Sequence, residues 1–268
     1  MNYKNAEAAD SAGKNKPDPA SSAEENSPEK DHSGSDTMET SAKNEAKKNK
    51  TDSVTITWFG HSMFLVEIGG QKIVIDPFNE DSGYTVPKAL RCDGCVISHS
   101  HFDHNYTGRL TGAYQEFKNA GTYSCGAVNI EQVLTYHDKE NGKKRGENLV
   151  SIISFNNFRI AHLGDLGHVL NDQQLSKIGR VDVLMVPVGG YFTIDAFDAW
   201  EVIRLISPKI IIPMHYKTEK TAGNIIIDTL DKFIAGRGNV VKLDSNAYEI
   251  EISNVSNDEK ILRFKVPE

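Results

Sequence analysis

The feature that most constrains the fold of this chain is a step in composition near residue 53. Residues 1–52 contain no Leu, Ile, Val, Phe, Trp or Cys, and Tyr3 is their only aromatic. Fixing one residue's backbone costs roughly 1–2 kcal/mol of entropy, and a stretch of Lys, Glu, Asp, Ser, Asn and Ala has almost no apolar surface to offset it. Residues 1–52 are therefore expected to be a disordered, low-complexity tail, and the core must come from residues 53–268. The tail reads as an inert solvated extension, with a tether to an envelope or a partner as the alternative.

Beyond the step the chain is strand-rich. Val54–Phe59, Met63–Ile68 and Lys72–Asp76 are β-rich runs, with a hairpin signal at Gly69-Gly70. Further strands are expected at Cys95–Ser98, Ile130–Tyr136, Leu149–Ser154, Phe158–His162, Val183–Pro187, Lys209–Pro213, Val240–Leu243, Ala247–Ile252 and Ile261–Val266. Helical periodicity fits Asp172–Ile178, Ile194–Leu205 and Gly223–Ala235, with Asp172 and Asp195 near the N-termini, where they suit the helix dipole. Strand blocks alternating with amphipathic helices predict two sheets covered outside by helices.

Composition narrows the partners. A net charge of −7 argues against a general affinity for nucleic acid. No run approaches the roughly 18–20 apolar residues that span a bilayer, so a soluble, cytoplasmic protein is expected, with an extracytoplasmic tethered form as the alternative. The three cysteines are too few for a disulfide framework. Cys92-Asp93-Gly94-Cys95 has no second CxxC to complete a zinc site, so these thiols are expected to pack as buried residues.

The chemistry lies in His99-Ser100-His101-Phe102-Asp103-His104. The loop follows a strand, so His99 and His101 can point one way while Asp103 and His104 turn toward a second position. Imidazole and carboxylate ligands suit Zn²⁺, and also Mn²⁺ or Fe²⁺. Most of the other histidines outside the tail fall at the ends of expected strands, which suggests one shared site.

With His-x-His-x-Asp-His at 99–104, the chain resembles the metallo-β-lactamase-fold superfamily. Asp76, Tyr136-His137-Asp138, His162-Leu163-Gly164-Asp165 and Pro213-Met214-His215-Tyr216 follow in that family's order. Gly60-His61-Ser62, Gly142-Lys143-Lys144-Arg145-Gly146, Gly164-Asp165-Leu166-Gly167-His168 and Pro187-Val188-Gly189-Gly190 are most similar to its ascorbate-6-phosphate lactonase-like group. The resemblance implies an α+β fold, a four-layer αββα sandwich of the metallo-β-lactamase type behind the disordered tail. It also implies that His99, His101 and His137 hold one divalent metal and that Asp103, His104 and His215 hold a second, with Asp165 bridging them.

Two such metals would activate a water on a small ester-like bond, a lactone or a phosphoester. Asp103 and His168 are the expected catalytic side chains, with Tyr191 and Tyr216 as further candidate proton donors. Lys144, Arg145 and Tyr191 are expected to contact a small, anionic substrate. Asp76 and His162 are expected to orient ligands, and His61 to line the site mouth. The alternatives are a phosphodiesterase or nuclease, a di-iron redox protein, and a binding module without turnover.

Overall fold

A computed structural model describes residues 52–221 and 223–268, and the expected tail lies outside the described residues. Strand β1 (Ser53–Gly60) alternates strictly, burying Val54, Ile56 and Trp58 on one face. Strands β2 (Met63–Ile68) and β3 (Gln71–Ile75) form a hairpin around Gly69 and Gly70, whose φ of 56° and 78° suit a two-residue turn. After them come β4 (Leu90–Arg91), β5 (Gly94–Val96), β6 (Leu110–Thr111), β7 (Gln115–Phe117), β8 (Gly121–Cys125), β9 (Val128–Tyr136), β10 (Glu147–Phe155) and β11 (Phe158–His162). The second half alternates: α1 (Asp172–Ile178), β12 (Val183–Pro187), α2 (Ala196–Ile206), β13 (Ile210–Met214), α3 (Leu230–Ile234), β14 (Val240–Lys242), β15 (Ala247–Glu251) and β16 (Lys260–Arg263).

The strands make a six-stranded sheet in the order β15-β1-β2-β3-β5-β7 and an eight-stranded sheet in the order β14-β16-β13-β12-β11-β10-β9-β8. Between them lies one apolar core, with Ile56, Phe64 and Ile75 from the first sheet and Ile130, Ile152 and Ile160 from the second. Every residue of β12 and β13 is buried, as expected for parallel strands covered on both faces. Helix α2 starts at the cap Asp195, whose carboxylate accepts the backbone N–H of Phe197 and Asp198. It buries Ala199, Val202, Ile203 and Ile206 and packs on β12, while α1 packs on β9.

The expected two-sheet sandwich is present, and two of its details differ. Over the six-stranded sheet, the described residues place a non-helical layer instead of helices. Phe78, Tyr84, Val86 and Leu110 cover Met63, Leu65 and Val74 there, together with the β4–β6 ribbon. Pro77, Gly83 and Pro87 interrupt this segment, so its only helical piece is the 3₁₀ turn Glu80–Ser82. The helix expected over Gly223–Ala235 is confined to Leu230–Ile234, because Ile225 and Ile227 line a cavity instead of a helical stripe.

Cys92, Cys95 and Cys125 are free and buried. Cys92 and Cys95 belong to the outer apolar layer and Cys125 to the core between the sheets, and burial pushes the Cys92 thiol up to about 11. Among the described residues no helix is long and apolar enough to cross a membrane.

Candidate metal centre

The residues of the centre sit where strands of both sheets end. Asp76 directly follows β3 with a left-handed φ of 45° and is fully buried. Its Oδ1 accepts the backbone N–H of Ser98 at 2.7 Å, and its Oδ2 accepts the Ser98 hydroxyl at 2.6 Å. The same Oδ2 lies 2.9 Å from His104 Nδ1. Asp76 thus ties the start of the His99–His104 loop to the six-stranded sheet and turns His104 Nε2 toward Asp165, 3.4 Å from its Oδ1. Burial acts to raise the Asp76 pKa, but the hydrogen bond and charge of His104 outweigh it, and the carboxyl stays below its usual range.

Two clusters of ligand-type atoms result, and a third group, Asp76, His99 and His104, overlaps both. His99, His101 and His137 bring one nitrogen each within 4.8 Å of one another, and so do His61, His104 and His215. Asp165 stands between them. Its Oδ2 is 3.1 Å from His137 Nε2, 3.3 Å from His215 Nε2 and 3.9 Å from His99 Nε2. Burial would raise its pKa, but the fields of His104 and His215 hold it well below the usual carboxylate range. Asp103 lies at the edge, its Oδ2 3.3 Å from His61 Nε2. Burial lowers His99 to about 3 and His61 to about 4, so both imidazoles are neutral near pH 7 and keep lone pairs to donate.

Close backbone approach builds the rest. A Cβ on Gly167 would sit 2.3 Å from the Asp138 nitrogen, and one on Gly189 would sit 2.1 Å from the His215 carbonyl oxygen. These two glycines let the 164–168 and 187–190 turns press against the segments that carry His137 and His215. His61 and His215 both adopt left-handed φ, 49° and 51°, a conformation costly for residues other than Gly. They are joined by a hydrogen bond from the His215 N–H to the His61 carbonyl at 3.2 Å.

Divalent metal fits this donor set. His61 Nε2, His104 Nε2, His137 Nδ1, His215 Nδ1 and Asp165 Oδ1 are buried without a hydrogen-bond partner among the described residues. At 3.4 Å, His104 Nε2 and Asp165 Oδ1 form an ion-pair contact rather than an aligned hydrogen bond. One unsatisfied buried polar atom costs about 1–3 kcal/mol. Orphaned nitrogens on histidines that group within 4.8 Å of one another, with the orphaned carboxylate oxygen of Asp165 that they border, form a donor set suited to a borderline cation.

The remaining expected residues divide. Arg145 lines the cavity of about 430 Å³ that opens onto the cluster. Lys144 pairs instead with Glu140 on the loop surface. Tyr191 is exposed outside the cavity, and its neighbour Phe192 lines it. His168, expected to be catalytic, has both ring nitrogens engaged: Nε2 accepts the Tyr136 N–H at 3.2 Å and Nδ1 lies 2.8 Å from the Val169 carbonyl. Gly167 directs it against the end of β9, so it completes that strand's hydrogen bonding and does not line the cavity. Tyr216 is buried against Trp58 at 5.6 Å between ring centroids. His162 likewise uses both nitrogens, Nε2 toward the Ser62 carbonyl at 2.9 Å and Nδ1 accepting the Gly164 N–H at 3.1 Å; it latches one sheet to the other.

Sequence reading missed Ser98 and Asn148. Asn148 Oδ1 accepts the Asp165 N–H at 2.8 Å, while its Nδ2 donates to Thr135 Oγ1 and the Leu163 carbonyl. The available signal was a fully buried amide opening an apolar strand, which needs partners wherever it lies.

The geometry accords with known proteins. A family model described as the Beta-lactamase superfamily domain matches residues 55–215. The chain is 28% identical over 194 residues to a UPF0173 metal-dependent hydrolase of Archaeoglobus fulgidus, covering 61% of this chain and 83% of that protein. It is 30% identical over 191 residues to one of Carboxydothermus hydrogenoformans, covering 61% and 84%. A crystal structure from Thermotoga maritima, assigned as a Zn-dependent hydrolase of the metallo-β-lactamase superfamily, is 34% identical with a TM-score of 0.67, covering 80% of this chain and 99% of that one. A metallo hydrolase from Ignicoccus hospitalis, 21% identical over 80% of this chain and 96% of its own, has a TM-score of 0.57 and shares the fold. The chain belongs to the metallo-β-lactamase superfamily. Within it, the chain is a metal-dependent hydrolase, similar to the UPF0173 proteins.

Proposed function

We propose that residues 53–268 form a binuclear hydrolase that cleaves a small ester-like bond, a lactone or a phosphoester. The observation that carries this reading is the position of Asp165, whose carboxylate lies within 3.1–3.9 Å of histidines from both clusters. One carboxylate shared by two donor sets offsets part of the repulsion between two cations. His99, His101 and His137 hold one cation, and Asp103, His104 and His215 the second; His61 adds a further nitrogen to the second set. Two divalent ions, Zn²⁺ first among them, supply a bound water of lowered pKa and polarise the oxygen under attack.

The chain's own residues do the rest. Asp76 fixes the His104 ring and Asn148 fixes the Asp165 backbone. Burial opposes the ionisation of Asp103, but His61, 3.3 Å away, and the charge of His104 outweigh it and hold the carboxyl below its usual range. Tyr84 lines the cavity with its hydroxyl 2.7 Å from Thr218 Oγ1 and is an O–H group that can face the leaving oxygen, which takes up a proton as water adds across the bond. Three buried free thiols suit a reducing compartment and support a cytoplasmic location.

The test is metal quantification on the purified chain, followed by panels of lactones, phosphodiesters and phosphomonoesters. Two equivalents of metal with turnover of a lactone or phosphodiester are expected. A single equivalent, or a fully loaded protein inert across all three panels, overturns the reading.

A further inference from the structure

We propose that the substrate is an apolar molecule carrying one negative charge, and that Asp138 is the positioning residue that aims Arg145 at that charge. The inference rests on the hydrolase reading above and adds a substrate class and its determinants. Arg145 is the only Lys or Arg among the described residues lining the cavity of about 430 Å³. Its guanidinium enters no ion pair among the described residues, whereas the neighbouring Lys144 is paired with Glu140. The guanidinium carbon lies 5.6 Å from the centroid of Phe192, a cation–π distance at which the planar group keeps its N–H edge for an anion.

The loop that carries Arg145 is held by one carboxylate. Asp138 Oδ1 accepts the backbone N–H groups of Glu140 and Gly142 at 2.7 and 2.9 Å, and Oδ2 accepts those of Lys144 and Arg145 at 2.9 and 2.8 Å. The loop closes where the Gly146 N–H meets the Gly142 carbonyl at 2.9 Å and the His137 N–H meets the Gly146 carbonyl at 3.1 Å. Asp138 is buried and directly follows His137, so the loop is fastened at the edge of the metal centre. A loop ordered before binding loses less entropy when Arg145 engages a ligand.

The remaining walls are apolar. Phe102, Phe192 and Ile225 are 68%, 37% and 39% exposed, yet all three converge on this cavity together with Ile227 and Tyr84. Exposed apolar side chains gathered round one cavity mark a binding surface. Outside the metal centre a polyanion would find one cationic side chain there, beside Asp81 and Asp103, and a neutral polar molecule would leave the apolar walls and the Arg145 charge unmatched. A single carboxylate or phosphodiester on an alkyl or aryl body matches both.

The experiment uses the metal-loaded full chain and two 4-nitrophenyl esters of equal chain length, one ending in a carboxylate and the other in a carboxamide. The wild type is expected to favour the anionic ester in kcat/KM by about 10- to 100-fold, the range of a charge-assisted hydrogen-bond pair, and to gain about 2- to 4-fold per added methylene. Arg145→Gln is expected to bring the anionic-to-neutral ratio near one through KM. Asp138→Asn, which removes one of the two accepting oxygens, is expected to lower the ratio partly, with kcat changed less than KM. Lengthening the chain is expected to gain less in Phe192→Ser. A wild-type ratio near one, or a ratio unmoved by Arg145→Gln, overturns the inference while leaving hydrolysis itself standing. If neither ester is turned over, calorimetry with octanoate and octanamide on the same proteins decides: equal affinities, or a preference that Arg145→Gln leaves intact, overturn the inference.

Discussion

The cluster of His99, His101 and His137 is assembled from one loop and one strand end, whereas His61, His104 and His215 come from three segments far apart in the chain. His101, in the first, is exposed. In the second, His104 is fully buried between two carboxylates, and His61 and His215 adopt left-handed conformations and are joined by one backbone hydrogen bond. The first cluster draws on local sequence and opens to solvent at His101, and the second draws on tertiary packing. A substitution at His101 should therefore cost metal alone, and one at His104 should cost metal and stability together.

The largest effect should appear where the two clusters meet. Asp165→Asn keeps the shape of the side chain and its backbone N–H on Asn148 but removes the shared charge. Activity is expected to fall more than about 1000-fold, roughly 4 kcal/mol, with most of both metals lost and the circular dichroism spectrum unchanged. If only one cluster emptied, the two would not share a carboxylate.

Next come the two glycines, each backing one cluster. Gly167→Ala drives a methyl to 2.3 Å from the Asp138 nitrogen, and Gly189→Ala drives one to 2.1 Å from the His215 carbonyl. Backbone overlap of this size costs on the order of 1–3 kcal/mol or more. Both should lower Tm, but metal analysis should show the first cluster weakened by Gly167→Ala and the second by Gly189→Ala. The same site emptied by both would dissolve the distinction between the clusters.

His101→Ala and His104→Ala compare the clusters within one loop. Removing exposed His101 should release one metal with little change in the stability of the metal-free protein. Removing His104 strips Asp76 and Asp165 of a partner that burial works to deprotonate but whose charge those two carboxylates hold in place. A loss of about 2–3 kcal/mol in urea unfolding of the metal-free protein is expected. Equal stabilities in the two variants would contradict the comparison.

What could be read in advance follows the same division. The His99–His104 loop is contiguous, and β2, β11, β12 and α1 carry their periodicity in neighbouring residues, so their bounds were legible. Strands β7 and β8 were not, because they are short and mostly exposed and show no apolar alternation. The run Ile225-Ile226-Ile227 falls inside the helix expected over Gly223–Ala235, but Ile226 is 70% exposed and its neighbours line the cavity; periodicity does not distinguish a core from a substrate wall. His168 looked catalytic because it lies three residues from Asp165. That the backbone N–H of Tyr136 claims its nitrogen is a tertiary fact. His61 was legible only as a residue near the site, since the left-handed turn that brings its ring 4.3 Å from that of His215 is set by packing.

His61 gives the smallest and most discriminating test. If its ring supplies the second cluster with a further nitrogen, removing it should weaken the second metal and spare the first. His61→Asn is the cleaner substitution, because Asn tolerates left-handed φ better than most residues and leaves the His61 carbonyl available to the His215 N–H. Titration of the metal-free chain with cobalt(II), followed by visible absorption, should then show one site with wild-type affinity and a second weakened by about 10- to 100-fold. If His61 only orients Asp103, the Asn amide can still donate to that carboxylate, and both affinities should stay within about threefold of wild type. Asp103→Asn separates the cases further. A ligand His61 should cost further affinity for the second metal even in the Asp103→Asn background, whereas a residue acting solely through Asp103 should add nothing once that carboxylate is gone.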